Sequence, residues 1–168
     1  MKRIFISYRR SDAEHFAGRV FDRLRHDVGS NNLFMDVSTI PLGADFVAFI
    51  GREVAKCDVL LAVIGPNWID ARSTDGRRRL DDDTDFVRIE IAAALGRNIP
   101  VVPLLLEGTS MPKADVLPDD LKNLTRRNAL SVRHVSFHAD MDTLITALGV
   151  RALPWRATIR MRLQRQSG

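Results

Sequence analysis

Short apolar runs alternate along this chain with segments whose apolar residues recur at helical spacing. A buried strand of a parallel sheet appears in a sequence as a continuous apolar run of four to eight residues. The runs of this kind are RIFIS (3–7), LFMD (33–36), DVLLAVI (58–64), IPVVPLLL (99–106) and VRHVSF (132–137). They predict five strands. Because proline cannot donate a backbone hydrogen bond, Pro103 places the fourth strand near the sheet edge or at a bulge.

Helical segments separate the predicted strands. Ser11 and Glu14 form a capping-box pattern at the start of the first helix, which carries apolar residues at helical spacing as far as Val28. DFVRIEIAAAL (85–95) predicts a helix after the third strand. The remaining predicted helices are one with Phe46, Ile50, Val54 and Cys57 on one side, a short one at PDDLKNLT (118–125), and one with Met141, Leu144, Ile145 and Leu148 on its apolar face.

Strands joined by helical crossovers form a parallel sheet that helices cover on both faces. The pattern therefore predicts an α/β, flavodoxin-like, doubly wound five-stranded sheet as one domain over residues 1–150. In such sheets ligands bind outside the carboxyl ends of the strands. The segments that meet this condition are 7–10, 36–45, 65–70 and the start of the helix that contains Glu90.

The net charge of +4 is unevenly distributed along the 168 residues. The segment 151–168 contains five arginines and no acid, which leaves a net charge of −1 for the other 150 residues. The basic pI of the whole chain comes from this segment and not from the domain. We therefore expect that the domain does not bind nucleic acid directly. The segment 151–168 is predicted to be a basic tail or a linker, for which contact with an acidic membrane surface is an alternative.

Other bulk features limit the possible classes of protein. The chain has no apolar stretch near the ~20 residues of a membrane span, and its N-terminus has no secretory signal pattern. A single cysteine, Cys57, allows no internal disulfide and is typical of a reducing cytoplasm. The four histidines lack zinc-ligand spacing, so we expect no metal.

Several common chemistries lack their motifs here. The chain has no G-x-x-x-x-G-K-[ST], no G-x-G-x-x-G after the first strand, and no G-x-S-x-G. A phosphate-accepting receiver domain shares this fold class, but that family places acids after the first strand and an aspartate after the third. Here those strands lead into Ser7-Tyr8-Arg9-Arg10 and Gly65-Pro66-Asn67-Trp68. The receiver interpretation is rejected.

The predicted strand ends carry arginines, aromatic residues and one acid. Arg9 and Arg10 have the geometry to pair with phosphates, or they are solvated surface residues. Asp36 either binds ribose hydroxyls or ends a strand. Trp68 either stacks on a planar ring or covers the core, and Phe46 alone is best explained by core packing.

Glu90 is the only acid between Phe86 and Leu106. At about 100° per residue it lies between two apolar flanks, on the same face as Phe86. A helix that starts near Asp85 puts Glu90 in its second turn, close to the ligand-binding edge. The pattern alone slightly favours a surface glutamate. Partial burial would instead raise its pKa, as happens at many functional sites.

Five stretches resemble, in order, the motifs of Toll/interleukin receptor (TIR) domains, particularly bacterial ones. They are IFISYRRSD, FMDVSTIPLG, VLLAVIGPNW, DFVRIEIAAAL and IPVVPLLLEG, and the resemblance covers roughly residues 1–148. Many TIR domains hydrolyse NAD+, and others are assembly modules without activity. Active members place a glutamate on the helix after the third strand, with an aromatic residue one turn earlier. Glu90 and Phe86 match that arrangement, although some active members have tryptophan at the aromatic position.

The resemblance implies a role for each candidate residue. Glu90 would be catalytic, and Arg9 or Arg10 would hold the pyrophosphate. The other residues implied at the nucleotide cleft are Ser7, Tyr8, Asp36, Ile40, Gly43, Phe46, Trp68 and Phe86, of which Ile40, Gly43 and Phe46 belong to a loop and helix that close over the nicotinamide end. NAD+ is then the substrate, and no cofactor or metal is required.

The resemblance also implies a reaction and partners. Cleavage of the nicotinamide–ribose bond develops oxocarbenium-like charge, which one carboxylate can stabilise. Water as the nucleophile gives ADP-ribose, whereas an internal nucleophile gives a cyclised product. Such a protein would be a cytoplasmic defence, signalling or virulence effector that is active when self-assembled. The alternative is a non-catalytic module that binds other TIR domains through the loop after the second strand.

Overall fold

The computed structural model describes residues 2–35 and 40–150, and these contain a five-stranded parallel sheet. The strands are β1 (Ile4–Ser7), β2 (Leu33–Met35), β3 (Val59–Ile64), β4 (Val101–Leu106) and β5 (Leu130–Val132). Their order across the sheet is β2-β1-β3-β4-β5, and every neighbouring pair is parallel. The predicted doubly wound α/β fold is confirmed.

Helices cover both faces of the sheet. They are α1 (Arg10–Val28), α2 (Phe46–Ala55), α3 (Phe86–Gly96) and α4 (Phe137–Ala147). Alternate residues of a strand point to opposite faces, so the side chains of β1 divide between two cores. Ile4 and Ile6 pack with α1 and α4, whereas Phe5 packs with α2 and α3. The short 3-10 segments are Ser30–Asn32, Arg79–Asp81, Ala114–Val116 and Asp119–Arg126.

Two boundaries differ from the prediction. The capping box is wrong, because α1 already begins at Arg10 and Arg9 caps it without a side-chain hydrogen bond. The fifth strand ends at Val132 and does not continue to Phe137. Beyond it the chain turns into α4, and the Asp140 carboxylate holds the turn by accepting from the Arg133 backbone N–H (3.0 Å) and from the Ser136 hydroxyl (2.7 Å).

Two other predictions are confirmed: the place of Pro103 near the edge of the sheet, and a short helical segment near residues 118–125. β4 is one strand in from the edge, and β5 pairs only with Leu104–Leu106, so Pro103 has no strand on that side. The segment predicted as a short helix at 118–125 forms the 3-10 segment Asp119–Arg126. Asp36 and the segment 151–168 lie outside the described residues. No helix in the described parts of the chain is long and apolar enough to cross a membrane.

Candidate functional site

Helix α3 starts at the carboxyl-terminal edge of the sheet and carries Glu90 in its second turn. The helix begins where it does because the Asp85 carboxylate accepts a hydrogen bond from the Arg88 backbone N–H at 3.0 Å. An acidic cap of this kind satisfies a backbone donor that has no partner within the helix. Glu90 is only 7% exposed. It is therefore not the solvated surface residue that the pattern alone favoured.

The last residue of β1 fixes the orientation of this carboxylate. Ser7 is 1% exposed, and its hydroxyl donates a hydrogen bond to Glu90 Oε2 at 2.6 Å. An ionised acceptor makes such a bond short and strong. One strand and one helix, far apart in the sequence, thus hold a single buried carboxylate in a fixed position.

Glu90 lines a cleft of about 550 Å³ between the turn that follows β1 and the start of α3. The β1–α1 turn contributes Tyr8, Arg9, Arg10 and Ser11 to its wall, and α3 contributes Phe86, Val87 and Glu90. The remaining lining residues, from the connection between β3 and α3, are Arg72, Ser73, Arg79, Asp82, Thr84 and Asp85. The cleft thus combines cationic walls with two buried carboxylates, Glu90 and Asp85, of which Asp85 is already paired with Arg9.

Arg9 has a different place from the one predicted. Its side chain is 1% exposed, and its two terminal nitrogens donate to the two oxygens of Asp85 at 2.9 and 3.0 Å. Its Nε donates to the Trp68 carbonyl at 3.2 Å. Arg9 is thus neither a solvated surface residue nor a free phosphate ligand. It joins the β1–α1 turn to the residue that caps α3, and so positions the helix that carries Glu90.

Trp68 is in the core and cannot stack on a ring bound in the cleft. It is 1% exposed and belongs to the apolar cluster of α2 and α3, beneath the Arg9 guanidinium. Of the two interpretations of Trp68, the structure agrees with the one in which this aromatic residue covers the core. The reason is that the loop after β3 folds back onto the sheet face.

Two phenylalanines meet at the mouth of the cleft. The rings of Phe46 and Phe86 have their centroids 5.6 Å apart, and Phe86 is 46% exposed. Phe46 is half-buried and packs against the core, as its position alone predicted, and it is not among the residues that line the cleft. Ile40 and Gly43 lie in the loop before α2 and are not among the residues that line the cleft.

The sequence motifs did not predict that the connection between β3 and α3 contributes to the cleft. Residues 71–79 form a small hairpin in which Arg72 and Arg78 are paired in antiparallel fashion. Gly76 has a positive φ of 82°, and Asp75 precedes it. An Asp-Gly pair is a recognised turn signal, but the residues around it lack the alternating apolar pattern that would have predicted a hairpin. Within the described residues, no group of His, Cys, Asp and Glu is arranged to hold a metal ion.

Comparisons with known proteins agree on the fold of this chain. The family model described as TIR domain matches residues 4–145. The NAD(+) hydrolase sarm1 of Drosophila melanogaster is 24% identical over 141 residues, which are 84% of this chain and 10% of that protein. The chain thus spans about a tenth of the length of that relative.

Two solved structures have similar folds at low sequence identity. The TIR domains of the activated Roq1 resistosome, which directly recognises the pathogen effector XopQ, give a TM-score of 0.60 at 12% identity, covering 88% of this chain and 99% of that chain. A prokaryotic SEFIR domain gives a TM-score of 0.55 at 18% identity, covering 86% of this chain and 96% of that chain. These likenesses concern the fold.

Proposed function

The chain belongs to the TIR domain family, and from that premise we propose that it cleaves NAD+ between nicotinamide and ribose. The observation that carries the proposal is Glu90, a buried carboxylate in a nucleotide-sized cleft whose orientation is fixed by the Ser7 hydroxyl at 2.6 Å. A relative named as an NAD(+) hydrolase, which aligns over most of this chain, supports the same reaction.

The proposed chemistry needs one carboxylate. As the bond between ribose C1′ and the nicotinamide nitrogen breaks, its electron pair leaves with nicotinamide, which departs as a neutral molecule. Positive charge then develops on C1′ and the ring oxygen of the ribose. Glu90 lies beside this charge and holds the ribose hydroxyls. A buried negative charge in a fixed position stabilises such a transition state strongly.

A nucleophile then completes the reaction. Water adds to C1′, loses a proton to solvent and gives ADP-ribose, whereas an internal adenine nitrogen or ribose hydroxyl gives a cyclised ADP-ribose. Glu90 either guides this nucleophile or traps the ribose covalently before it arrives. Tyr8 and Arg10 line the same cleft, and Phe86, which packs against the Phe46 ring, gives it an apolar surface for a flat ring. We propose no metal or cofactor.

We further propose that the activity serves a bacterial defence, signalling or virulence role in the cytoplasm and depends on self-assembly. A TIR neighbour that functions within a resistosome supports the last point. Assembly predicts that turnover per molecule rises with protein concentration.

The test of the proposal is nicotinamide release from NAD+, measured by chromatography across a series of protein concentrations. Glu90→Ala is expected to lower the rate by at least about 100-fold, because it removes the charge that opposes the developing cation. The matched control is Glu53→Ala on α2, where the carboxylate pairs with Lys56 at the surface and does not line the cleft. Undiminished release by Glu90→Ala, or no release by the unaltered chain at any concentration, contradicts the proposal.

The second candidate function is a non-catalytic TIR interaction module. Two exposed apolar side chains favour it: Leu42, fully exposed before α2, and Val47, 45% exposed in its first turn. Leu42→Asp tests the surface by sedimentation. Loss of self-association in this variant, in a chain that never releases nicotinamide, would favour the module over the enzyme.

A further inference from the structure

The hairpin of residues 71–79 is held in one conformation by its own hydrogen bonds. The Ser73 N–H donates to the Arg77 carbonyl at 2.9 Å, and the Arg79 N–H donates to the Ala71 carbonyl at 2.8 Å. At its tip the Asp75 carboxylate accepts from the Arg77 N–H at 3.1 Å and from the Ser73 hydroxyl. Side chains that such a hairpin carries are presented to the cleft at a fixed position.

Two arginines of this hairpin, Arg72 and Arg79, line the cleft that contains Glu90. Nη1 of Arg72 donates to the Gly76 carbonyl at 2.8 Å, which orients the guanidinium and leaves its other donors available. The exposed guanidinium of Arg79 makes no hydrogen bond or ion pair with the part of the chain that the structure describes. Both therefore present N–H donors to whatever enters the cleft.

The neighbouring arginines do not line the cleft, and two of them are paired with acids outside the hairpin. Arg78 pairs with Asp81 and donates to the Val116 carbonyl at 2.8 Å. Arg88 binds Asp120 at 3.0 Å. Arg77 is exposed but is not among the residues that line the cleft. Among the arginines between residues 71 and 88, Arg72 and Arg79 are thus the two that line the cleft, which is not a general consequence of an arginine-rich loop.

The charges of the cleft indicate what these two arginines would bind. The charge of Arg9 is matched by Asp85, and the carboxylate of Asp82 accepts hydrogen bonds from the N–H and the hydroxyl of Thr84. Glu90 is buried, whereas Arg72 and Arg79 are exposed at the rim. The cleft is thus negatively charged at its buried end and positively charged at its rim. A ligand matches these charges if it has a cationic group near Glu90 and an anionic group near Arg72 and Arg79. Guanidinium groups bind phosphate oxygens in two-point contacts.

We infer that Arg72 and Arg79 bind the diphosphate of the nucleotide, in the place that the buried Arg9 cannot take. This inference rests on the proposed function for the identity of the ligand. The hairpin then favours ligands that carry a diphosphate, because a nucleoside without phosphates makes no contact with it.

The test is calorimetric binding of ADP-ribose to the full chain, with potassium chloride varied from low to physiological concentration. The double variant Arg72→Met/Arg79→Met is expected to weaken ADP-ribose binding at least about tenfold, and to flatten its salt dependence. Arg77→Met removes one positive charge from the same hairpin and is expected to change the affinity less than about twofold. Arg72→Lys/Arg79→Lys keeps the charge without the planar fork and should fall between them.

The outcomes separate this inference from the proposed function. Unchanged ADP-ribose affinity in the double variant, or equal weakening by Arg77→Met, overturns the inference even if NAD+ is cleaved. Failure of the unaltered chain to bind millimolar ADP-ribose also overturns it. Binding that depends on Arg72 and Arg79, in a chain that releases no nicotinamide, supports the inference and contradicts the proposed reaction. In kinetic terms the double variant should raise KM for NAD+ more than it lowers kcat.

Discussion

The ion pair between Arg9 and Asp85 gives the sharpest stability prediction. Both side chains are almost fully buried, at 1% and 6% exposure, and two parallel hydrogen bonds join them. Asp85→Asn removes the negative charge but keeps a side chain that caps α3 as well as aspartate does. The guanidinium of Arg9 is then left buried without its counter-charge. Removing one partner of a buried pair costs about 3–5 kcal/mol of unfolding free energy.

Thermal and urea unfolding measure this cost. For a domain of this length about 1 kcal/mol corresponds to roughly 2–4 °C, so Asp85→Asn is expected to melt about 6–20 °C lower. Asp85→Ala should lose about 1 kcal/mol more, because the cap of α3 is lost as well. Adding Arg9→Met to Asp85→Asn should recover part of the loss, since the uncompensated charge is then gone.

The control for this prediction is an ion pair at the surface. Lys122 pairs with Asp119 at 2.5 Å in an exposed position, and Lys122→Met is expected to leave the melting temperature unchanged within error. An Asp85→Asn variant that melts within about 2 °C of the unaltered chain would refute the reasoning, because the buried charge would then have found another partner. A double variant less stable than Asp85→Asn would also refute it.

Three further predictions concern single groups. Ser7→Ala should lower nicotinamide release about tenfold or more, because Glu90, the carboxylate that we propose to be catalytic, loses the bond that orients it. An unchanged rate would contradict this role. Gly65→Ala should cost about 1–3 kcal/mol in urea unfolding, because the new Cβ would collide with the Asp12 carboxylate. Gly18→Ala, with open space around it in α1, should instead stabilise the domain by about 0.5–1 kcal/mol, and equal effects of the two changes would contradict this reasoning. Burial raises the pKa of the Cys57 thiol from 9.0 to about 11. The rate of alkylation should therefore increase as pH rises through about 11, because the thiolate is the reactive form. An increase that is complete by about pH 9 would show that the thiol is exposed.

The sheet was predictable from sequence because its strands are continuous apolar runs. The six residues of β3 are all buried, and a run such as VLLAVI leaves little doubt about its place in a parallel sheet. The edge strand β5 was predicted at 132–137, whereas in the structure it spans Leu130–Val132. Only Val132 of its three residues is buried, so hydrophobicity there does not mark the strand.

The site was only partly predictable. Tyr8, Arg10 and Glu90 were predicted to lie at one edge of the sheet, because in a parallel sheet the carboxyl ends of the strands meet at the same edge and ligands bind there. The place of Arg9 depends on Asp85, 76 residues away, and no local pattern distinguishes a buried arginine from its exposed neighbour. Trp68 was ambiguous for the same reason, since whether an aromatic residue covers a core or faces a cleft is decided by how its loop folds back.

The most direct test of the account is nicotinamide release by Glu90→Gln, measured beside the melting temperature and the ADP-ribose affinity of the same preparation. Glutamine keeps the size of the side chain and can still accept the Ser7 hydrogen bond, so we expect the fold and the binding of ADP-ribose to be preserved. The account predicts that release from NAD+ falls by at least about 100-fold, because only the charge is lost. A folded Glu90→Gln variant that releases nicotinamide at the rate of the unaltered chain would contradict it.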